Sequence, residues 1–311
     1  MAVIVFGSIN TDLALGVDHL PVPGETVLTP GYQAVPGGKG CNQAVAAARL
    51  GADVRMVGAV GDDAMAAIPL DAMTAAGVDH HDVRVVAEPT GLAAVMVADD
   101  GENAIVVASG ANRAVRADQL TDLHPGDVLV CQMEVPFAET AAALRAAKAA
   151  GALTLLNLAP FGALPEPARG AVDCWVVNAL EAVGLAAQVG LAAQVGLAAA
   201  DVPALSRALA ARLGATVIVT LGGDGTLAAT AAGEAWRASA LPVAIVDTTG
   251  AGDAFVGGLA TAMAEGAPLP EALRLASAAG GLACTGFGAQ TALPDRAAVA
   301  ARLAGVSVTA F

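Results

Sequence analysis

A chain of 311 residues that is 56% hydrophobic carries enough apolar side chain for a substantial core, either one large α/β domain with an appendage or two medium ones. Aromatic residues make up only 3%, so that core must be built from Ala, Val and Leu. A net charge of −14 argues against a nucleic-acid partner, which needs a basic face, but not against a nucleotide held by backbone N–H groups and a divalent cation.

Val3–Phe6 is a short apolar run ending at Gly7 and predicts a buried first strand. Thr26–Gln33 and Leu92–Ala98 read as strands, and Ala104–Ala108 pairs with the second across the turn Asp99-Asp100-Gly101-Glu102. Lys39–Leu50 predicts an Ala-rich helix stopped by Gly51. From about residue 127, short apolar strands at Val128–Cys131, Leu153–Asn157, Trp175–Val177 and Val217–Thr220 are interleaved with helical stretches at 136–150 and 201–213. This alternation predicts an α/β fold, a mostly parallel sheet covered by helices on both faces. Ligands of such sheets bind outside the carboxyl ends of the strands. Polar or glycine-rich clusters follow strands at Gly7–Asp12, Asn157–Pro160, Asn178–Glu181 and Leu221–Gly225. The strand-rich pieces near 11–36 and 90–110 fall outside the alternation and are assigned to a small β lid on a single domain spanning 1–311.

Residues 183–200 repeat one hexapeptide, VGLAAQ-VGLAAQ-VGLAAA. Each copy rotates a helical pattern by about 240°, so no amphipathic face results. Its glutamines and small residues keep hydrophobicity too low for a membrane span, and it reads as a local duplication in a surface helix-loop segment. Cys41, Cys131, Cys174 and Cys284 form no Cys-x-x-Cys pair and read as buried, reduced thiols, which suits the cytoplasm. His19, His80, His81 and His124 lack metal-ligand spacing and read as surface or loop residues. The opening MAVIVFGSIN has neither a basic n-region nor a long apolar core, so no signal peptide is expected.

The motif richest in chemistry is Asp247-Thr248-Thr249-Gly250-Ala251-Gly252-Asp253-Ala254-Phe255. It follows a strand expected at Val243–Val246 and opens a helix expected to reach about Glu265. Gly250, Ala251 and Gly252 would leave backbone N–H groups unblocked at a helix N-terminus, where negative charge on a transferred phosphoryl group is stabilised. Asp253 then sits in the first turn, close to an acceptor hydroxyl. The plainer reading is a glycine turn with Asp as helix cap.

Asp-Thr-x-Gly-Ala-Gly-Asp resembles the C-terminal signature of the ribokinase-like (PfkB) carbohydrate kinases. Val35-Pro36-Gly37-Gly38-Lys39-Gly40-Cys41-Asn42-Gln43-Ala44 is similar to the family's glycine-glycine segment, and Gly7-Ser8-Ile9-Asn10-Thr11-Asp12 to its sugar-binding entry. The likeness continues in order through Gly101-Glu102-Asn103, Gly110-Ala111-Asn112, Asn157-Leu158-Ala159-Pro160, Asn178-Ala179-Leu180-Glu181 and Gly288-Ala289-Gln290. It implies a ribokinase-like α/β fold and transfer of the γ-phosphoryl of MgATP to the 5-hydroxyl of ribose, with Asp253 as general base and the N–H groups of Gly250, Ala251 and Gly252 as anion hole. It places Asn10, Asp12, Gly38, Lys39, Asn42 and Glu134 at the sugar, where carboxylates and amides suit a ligand that offers several hydroxyls. It gives Asn178 and Glu181 to the phosphates and Mg²⁺, and Thr220, Gly222, Gly223, Gly225, Gly252 and Ser277 to the nucleotide. Asp247 and Thr249, with the backbone at Ala283, Gly286 and Gly288, match a monovalent-cation (K⁺) site; Ala292 stands where the family commonly has a Ser ligand. A homodimer through the lid is implied as well. A related sugar or nucleoside kinase, or a non-catalytic sugar-binding protein, are the other readings open at this point.

Overall fold

Val3 and Val5 pack on one side of the sheet and Ile4 and Phe6 on the other, and all four are buried, so the first strand is covered on both faces. The computed structural model describes residues 1–191 and 201–311. Its first elements are β1 (Val3–Phe6), β2 (Asn10–Val17), β3 (Gln33–Gly37), α1 (Lys39–Arg49), β4 (Val54–Gly61), α2 (Ala64–Ala76), β5 (Val83–Val86), β6 (Gly91–Ala98) and β7 (Asn103–Ala108). There follow β8 (Val128–Cys131), α3 (Phe137–Ala149), β9 (Leu153–Asn157), the single turn α4 (Glu166–Arg169), β10 (Cys174–Asn178), α5 (Ala179–Gln188) and α6 (Val202–Leu213). The chain ends with β11 (Thr216–Thr220), β12 (Thr226–Ala229), β13 (Ala235–Ala238), α7 (Ala251–Ala264), α8 (Leu269–Ala283), α9 (Arg296–Ala300) and β14 (Val308–Ala310).

Ten strands form the main sheet in the order β14-β13-β12-β11-β10-β9-β8-β1-β4-β5. Neighbours from β5 across to β11 run parallel, and β12, β13 and β14 continue antiparallel. One face packs on α1, α7 and α8, the other on α3, α5 and α6. The chain moves from β1 to β4 on one side and resumes at β8 on the other, so the strand order reverses between β1 and β8. In such sheets this reversal opens a crevice at the strand ends. Gly7–Asp12 and Gln132–Glu134 lie there.

A separate four-stranded sheet, β3-β2-β6-β7, stands over that crevice. The turn at Asp99–Glu102 closes its β6–β7 hairpin, with Ala98 N–H donating to Glu102 O at 2.8 Å. Helix α1 stops in a Schellman turn, as Gly51 N–H donates to Ala48 O and Ala52 N–H to Ala47 O.

Three local expectations are corrected. No strand spans Thr26–Gln33: residues 26–32 are irregular and largely exposed, and the strand is Gln33–Gly37, which pairs with β2. No strand spans Val243–Val246 either: Ile245 and Val246 are 67% and 45% exposed, and Val246 N–H finds only Cys284 O. The first hexapeptide copy is surface material only in part: it completes a helix, α5, with Ala187 exposed but Leu185 and Ala186 buried in the core. The second copy ends that helix at Val189, and residues 192–200 lie outside the described residues. Cys41, Cys131 and Cys174 are buried and Cys284 is half-buried; burial pushes the Cys41 and Cys174 thiols up to about 12. Among the described residues no helix is long and apolar enough to cross a membrane.

Candidate active site

Asp253 lies in the first turn of α7 and is 6% exposed. It does not cap the helix: the N-cap is Gly250, with no side-chain cap bond. Gly250 has φ +77°, and a Cβ there would lie 2.7 Å from Ala289 O, so only glycine lets the chain enter the helix at this angle. Ala251 N–H is taken by Thr248 O at 3.2 Å, while the N–H groups of Gly252 and Asp253 find no backbone acceptor among the described residues. The Asp253 carboxylate is held at both oxygens, Oδ1 by Gln43 Nε2 at 2.9 Å and Oδ2 by Asn42 Nδ2 at 3.0 Å.

Three adjoining cavities make one trough through this point. A cavity of about 610 Å³ is lined by Asn10, Asp12, Gly38, Lys39, Asn42, Glu134 and Asp253, roofed by the small sheet at Val95, Val97, Ile105 and Val107. A second, about 270 Å³, shares Lys39, Gly250 and Asp253 with it and adds Asn178, Glu181, Thr220 and Gly252. A third, about 240 Å³, continues from Thr220 and Gly252 to Gly222, Gly223, Gly225 and Ser277 between apolar walls. A larger hollow of about 890 Å³ meets the first only at Asn10, Glu134 and Val107 and does not reach Asp253.

At the first cavity, Asn10 is 3% exposed and its Oδ1 accepts from Asn112 Nδ2 at 2.7 Å. Asn112 Oδ1 in turn accepts Ile9 N–H, so Asn112 fixes which way Asn10 faces. Gly37 and Gly91 leave the room that the Asp12 carboxylate and the Asn10 amide occupy. Glu134 Oε2 accepts from Ser8 Oγ at 2.5 Å and from Lys39 N–H at 3.0 Å. Gly38, with φ +86°, brings the backbone to within a Cβ's reach of Asn10 N. Burial, then the charges of Glu134 and Asp253, push the Asp12 carboxyl up to about 6. Its Oδ1 is buried without a partner. The charge of Asp253 holds Lys39 above its usual value against burial, and Glu134 and Glu181 add to it.

In the second cavity Asn178 and Glu181 form a capping box for α5: Asn178 Oδ1 accepts Glu181 N–H, and Glu181 Oε2 accepts Asn178 N–H, both at 2.8 Å. The pair therefore has a helix-start role that its motif reading did not include. Burial raises the Glu181 carboxyl, against Asn178 N–H and Lys39, which lower it. In the third cavity Thr220 ends β11, and Gly222, Gly223 and Gly225 form the turn into β12. Ser277 Oγ is buried there without a partner.

Asp247 sits just before α7. Burial would raise its carboxyl, but bonds from Thr249, from Gly288 N–H and from nearby backbone hold it below the usual range. Oδ1 accepts Thr249 N–H and Oγ1, and Oδ2 accepts Gly288 N–H at 2.9 Å. Ala292 packs against Gly286, and Ala283 is the buried last residue of α8. The motif reading gave no role to the residues behind these groups. Gln43, Gln132 and Asn157 form a buried amide chain leading to Asp253, and Gln290 Nε2 donates to Asn42 Oδ1 at 2.9 Å. Gln43, Asn157 and Gln290 lie inside strings that carried the resemblance, but nothing local says what they touch.

A cleft that joins a pocket carrying Asn10, Asp12, Asn42 and Glu134 to a glycine-rich one, with a buried carboxylate and free N–H groups where they meet, has the construction of a small-molecule phosphotransferase. The family model for pfkB family carbohydrate kinases matches residues 2–296, and the chain belongs to that family. The chain is 35% identical to a ribokinase of Haemophilus influenzae, over 94% of this chain and 95% of that protein. It is 36% identical to a ribokinase of Bacillus subtilis over 94% and 96%. Among solved structures it resembles the ribokinase of Thermotoga maritima, with a TM-score of 0.85 and 31% identity over 97% of this chain and 99% of that one. It also resembles the Arabidopsis thaliana ribokinase complexed with ribose and ATP, with a TM-score of 0.81 and 31% identity over 97% and 98%.

Proposed function

We propose that this protein transfers the γ-phosphoryl group of ATP to the 5-hydroxyl of D-ribose, giving ribose 5-phosphate and ADP. The observation that carries the reading is the continuous trough with Asp253 at its junction. Relatives named ribokinase along nearly the whole chain support the acceptor. Two buried, unpartnered oxygens stand at opposite ends of the trough, Asp12 Oδ1 and Ser277 Oγ. Sugar hydroxyls would supply donors to the first, and an adenine edge would meet the second. Asn10, Asp12, Gly38, Lys39, Asn42 and Glu134 hold the sugar, Asp253 accepts the hydroxyl proton, and the N–H groups at the start of α7 steady the transferred charge. Thr220, Gly222, Gly223 and Gly225 line the nucleotide.

Mg²⁺ would be held at Asn178 and Glu181 mainly through water and the phosphates, where it would neutralise phosphate charge. This fits a donor set in which one Glu181 oxygen is committed to the capping box and no cluster of three carboxylate, His or Cys side chains exists among the described residues. A monovalent cation such as K⁺ would be held beside the Asp247 carboxylate and Thr249, with backbone at Ala283, Gly286 and Gly288; Asp247 Oδ1 already accepts twice from Thr249 and the methyl of Ala292 adds no ligand. The small sheet acts as a lid that excludes water. Its edge strand β7 exposes Val106 on the face opposite Ile105 and Val107, which supports a homodimer through this sheet. The buried thiols suit the cytoplasm.

The test is ADP release from MgATP with a panel of sugars and nucleosides, with and without potassium. Fastest turnover on ribose supports the acceptor, and stimulation by potassium supports the cation site. Preference for another acceptor replaces ribose, and ribose binding without any turnover overturns the kinase reading.

Asp12 adds a pH signature. Ribose donors favour its ionised form, so ribose affinity falls several-fold, by about one factor of ten at most, between pH 7.5 and 5.5. Sugar binding near pH 6 releases protons, which calorimetry in two buffers of different ionisation enthalpy reads directly. Stability of the empty protein runs the other way. A folded carboxyl raised from 3.8 to about 6 contributes stability that is present below 3.8 and lost as pH rises through 6. Unchanged ribose affinity across this range would remove Asp12 from the sugar site.

A further inference from the structure

We infer that Gln43 is a positioning residue that aims the Asp253 carboxylate, and that Gln132 and Asn157 tie this aim to the ends of the central strands. The inference rests on the reading of Asp253 as general base.

Gln43 is 1% exposed on α1. Its Nε2 donates to Asp253 Oδ1 at 2.9 Å and to Asn157 Oδ1 at 3.1 Å, and its Oε1 accepts from Gln132 Nε2 at 2.7 Å. Turned over, the amide would set its oxygen against two acceptors and its nitrogen against a donor. Its orientation is therefore fixed by three bonds. The two anchors are themselves held. Gln132 is fully buried after β8, and its amide fills the space that a side chain at Gly7, just after β1, would take. Asn157 ends β9, and its Nδ2 donates to Val176 O on β10 at 3.3 Å. One buried amide chain thus runs from the rigid middle of the sheet to a carboxylate on α7.

Asn42 and Gln43 divide the work. Asn42 holds the other Asp253 oxygen and lines the sugar cavity, whereas Gln43 lines none of the three cavities of the trough. Gln43 has no surface to offer substrate, and its influence on the reaction passes through Asp253 alone. With one donor gone, the carboxylate keeps the Asn42 bond but can rotate about Cβ–Cγ. Small misplacements of a reacting group cost rate steeply.

The experiment measures kcat, ribose dissociation constant and melting temperature for Gln43→Met, which keeps volume and removes the donor. The expected result is a kcat lower by about 10- to 100-fold, with ribose affinity within about threefold of the parent. A folded Gln43→Met with unchanged kcat overturns the inference, and so does an equal loss of ribose affinity, which would make the residue part of the sugar site. If that variant does not fold, Gln132→Met carries the test, since it leaves the Gln43–Asp253 bond but frees its anchor. A kcat lower by about threefold or more with ribose binding intact supports the inference, and parental kcat overturns it. Asp253→Asn, measured alongside, separates the two readings. Normal turnover by that variant sinks the base, whereas its loss of turnover beside a fully active Gln43→Met sinks only the role of Gln43.

Discussion

Asp253→Asn yields a folded protein that still binds ribose and turns over on the order of 10²-fold more slowly, or worse. The rate falls because an amide cannot accept the proton that leaves the attacking hydroxyl. The fold survives because its neighbours can rearrange. The Gln43 bond to Oδ1 is kept, but the new amide nitrogen faces Asn42 Nδ2, donor against donor. Asn42 relieves this by turning over, which sets its nitrogen toward Gln290. Gln290 can follow, because its Oε1 is buried without a partner and gains one in the turned state. The turn moves the unpartnered group from Oε1 to Nε2, which gives up its bond to Asn42 and the weak contact to Cys41 Sγ at 3.2 Å, at a cost of about 1–3 kcal/mol. A melting temperature within a few degrees of the parent, with ribose binding retained by titration, shows that the loss of rate is chemical. Parental turnover would remove Asp253 from the proton transfer.

The main architecture was legible because it is written locally. Strands buried on both faces read as continuous apolar runs, and β8, β9, β10 and β11 fall within a residue or two of their expected bounds. The glycine strings mark places where backbone must come close, and these gather at the carboxyl ends of the strands. Legibility failed where the deciding partner is distant or missing. Val243–Val246 has the β-branched residues of a strand, yet among the described residues no strand pairs with it, and its apolar side chains border the trough instead. Thr26–Gln33 failed for a similar reason, its pairing taken up only from Gln33 onward. The amides behind Asp253 bridge separations of 89, 114 and 210 residues, which no periodicity reports. Asn178 and Glu181 are a different case. Asn-x-x-Glu before an apolar run is a helix-start pattern as well as a candidate phosphate pair, and the structure uses it as the former. Glu181 also lines the second cavity and the capping box uses only one of its carboxylate oxygens, so the two uses are compatible.

Gly250 and Gly252 stand two residues apart in one motif, and replacing each by alanine has opposite expected effects. At Gly250 the backbone is left-handed, which costs an L side chain roughly 1–2 kcal/mol before any contact is counted. The added Cβ also meets backbone, Ala289 O at 2.7 Å and Ala289 Cα at 2.8 Å, and backbone cannot swing aside as a side chain can. Gly250→Ala therefore shifts the start of α7, lowers the melting temperature by several degrees, and weakens turnover because Asp253 moves with the helix. At Gly252 the backbone is already helical and no heavy atom lies within 4 Å of the added Cβ. Alanine is the better helix former by about 1 kcal/mol, so Gly252→Ala keeps or raises the melting temperature. That open space is the trough itself, shared by the second and third cavities. A methyl group there stands between the nucleotide and the free N–H groups. An intrusion costing about 1–3 kcal/mol raises the KM for ATP by about 5- to 150-fold while ribose binding is untouched. Melting curves and separate titrations of ribose and ATP on the two variants check both halves. A stable Gly252→Ala protein with parental ATP affinity would mean that the phosphates do not pass the N-terminus of α7. The anion-hole role of this turn would then have to be given up, whatever became of Asp253.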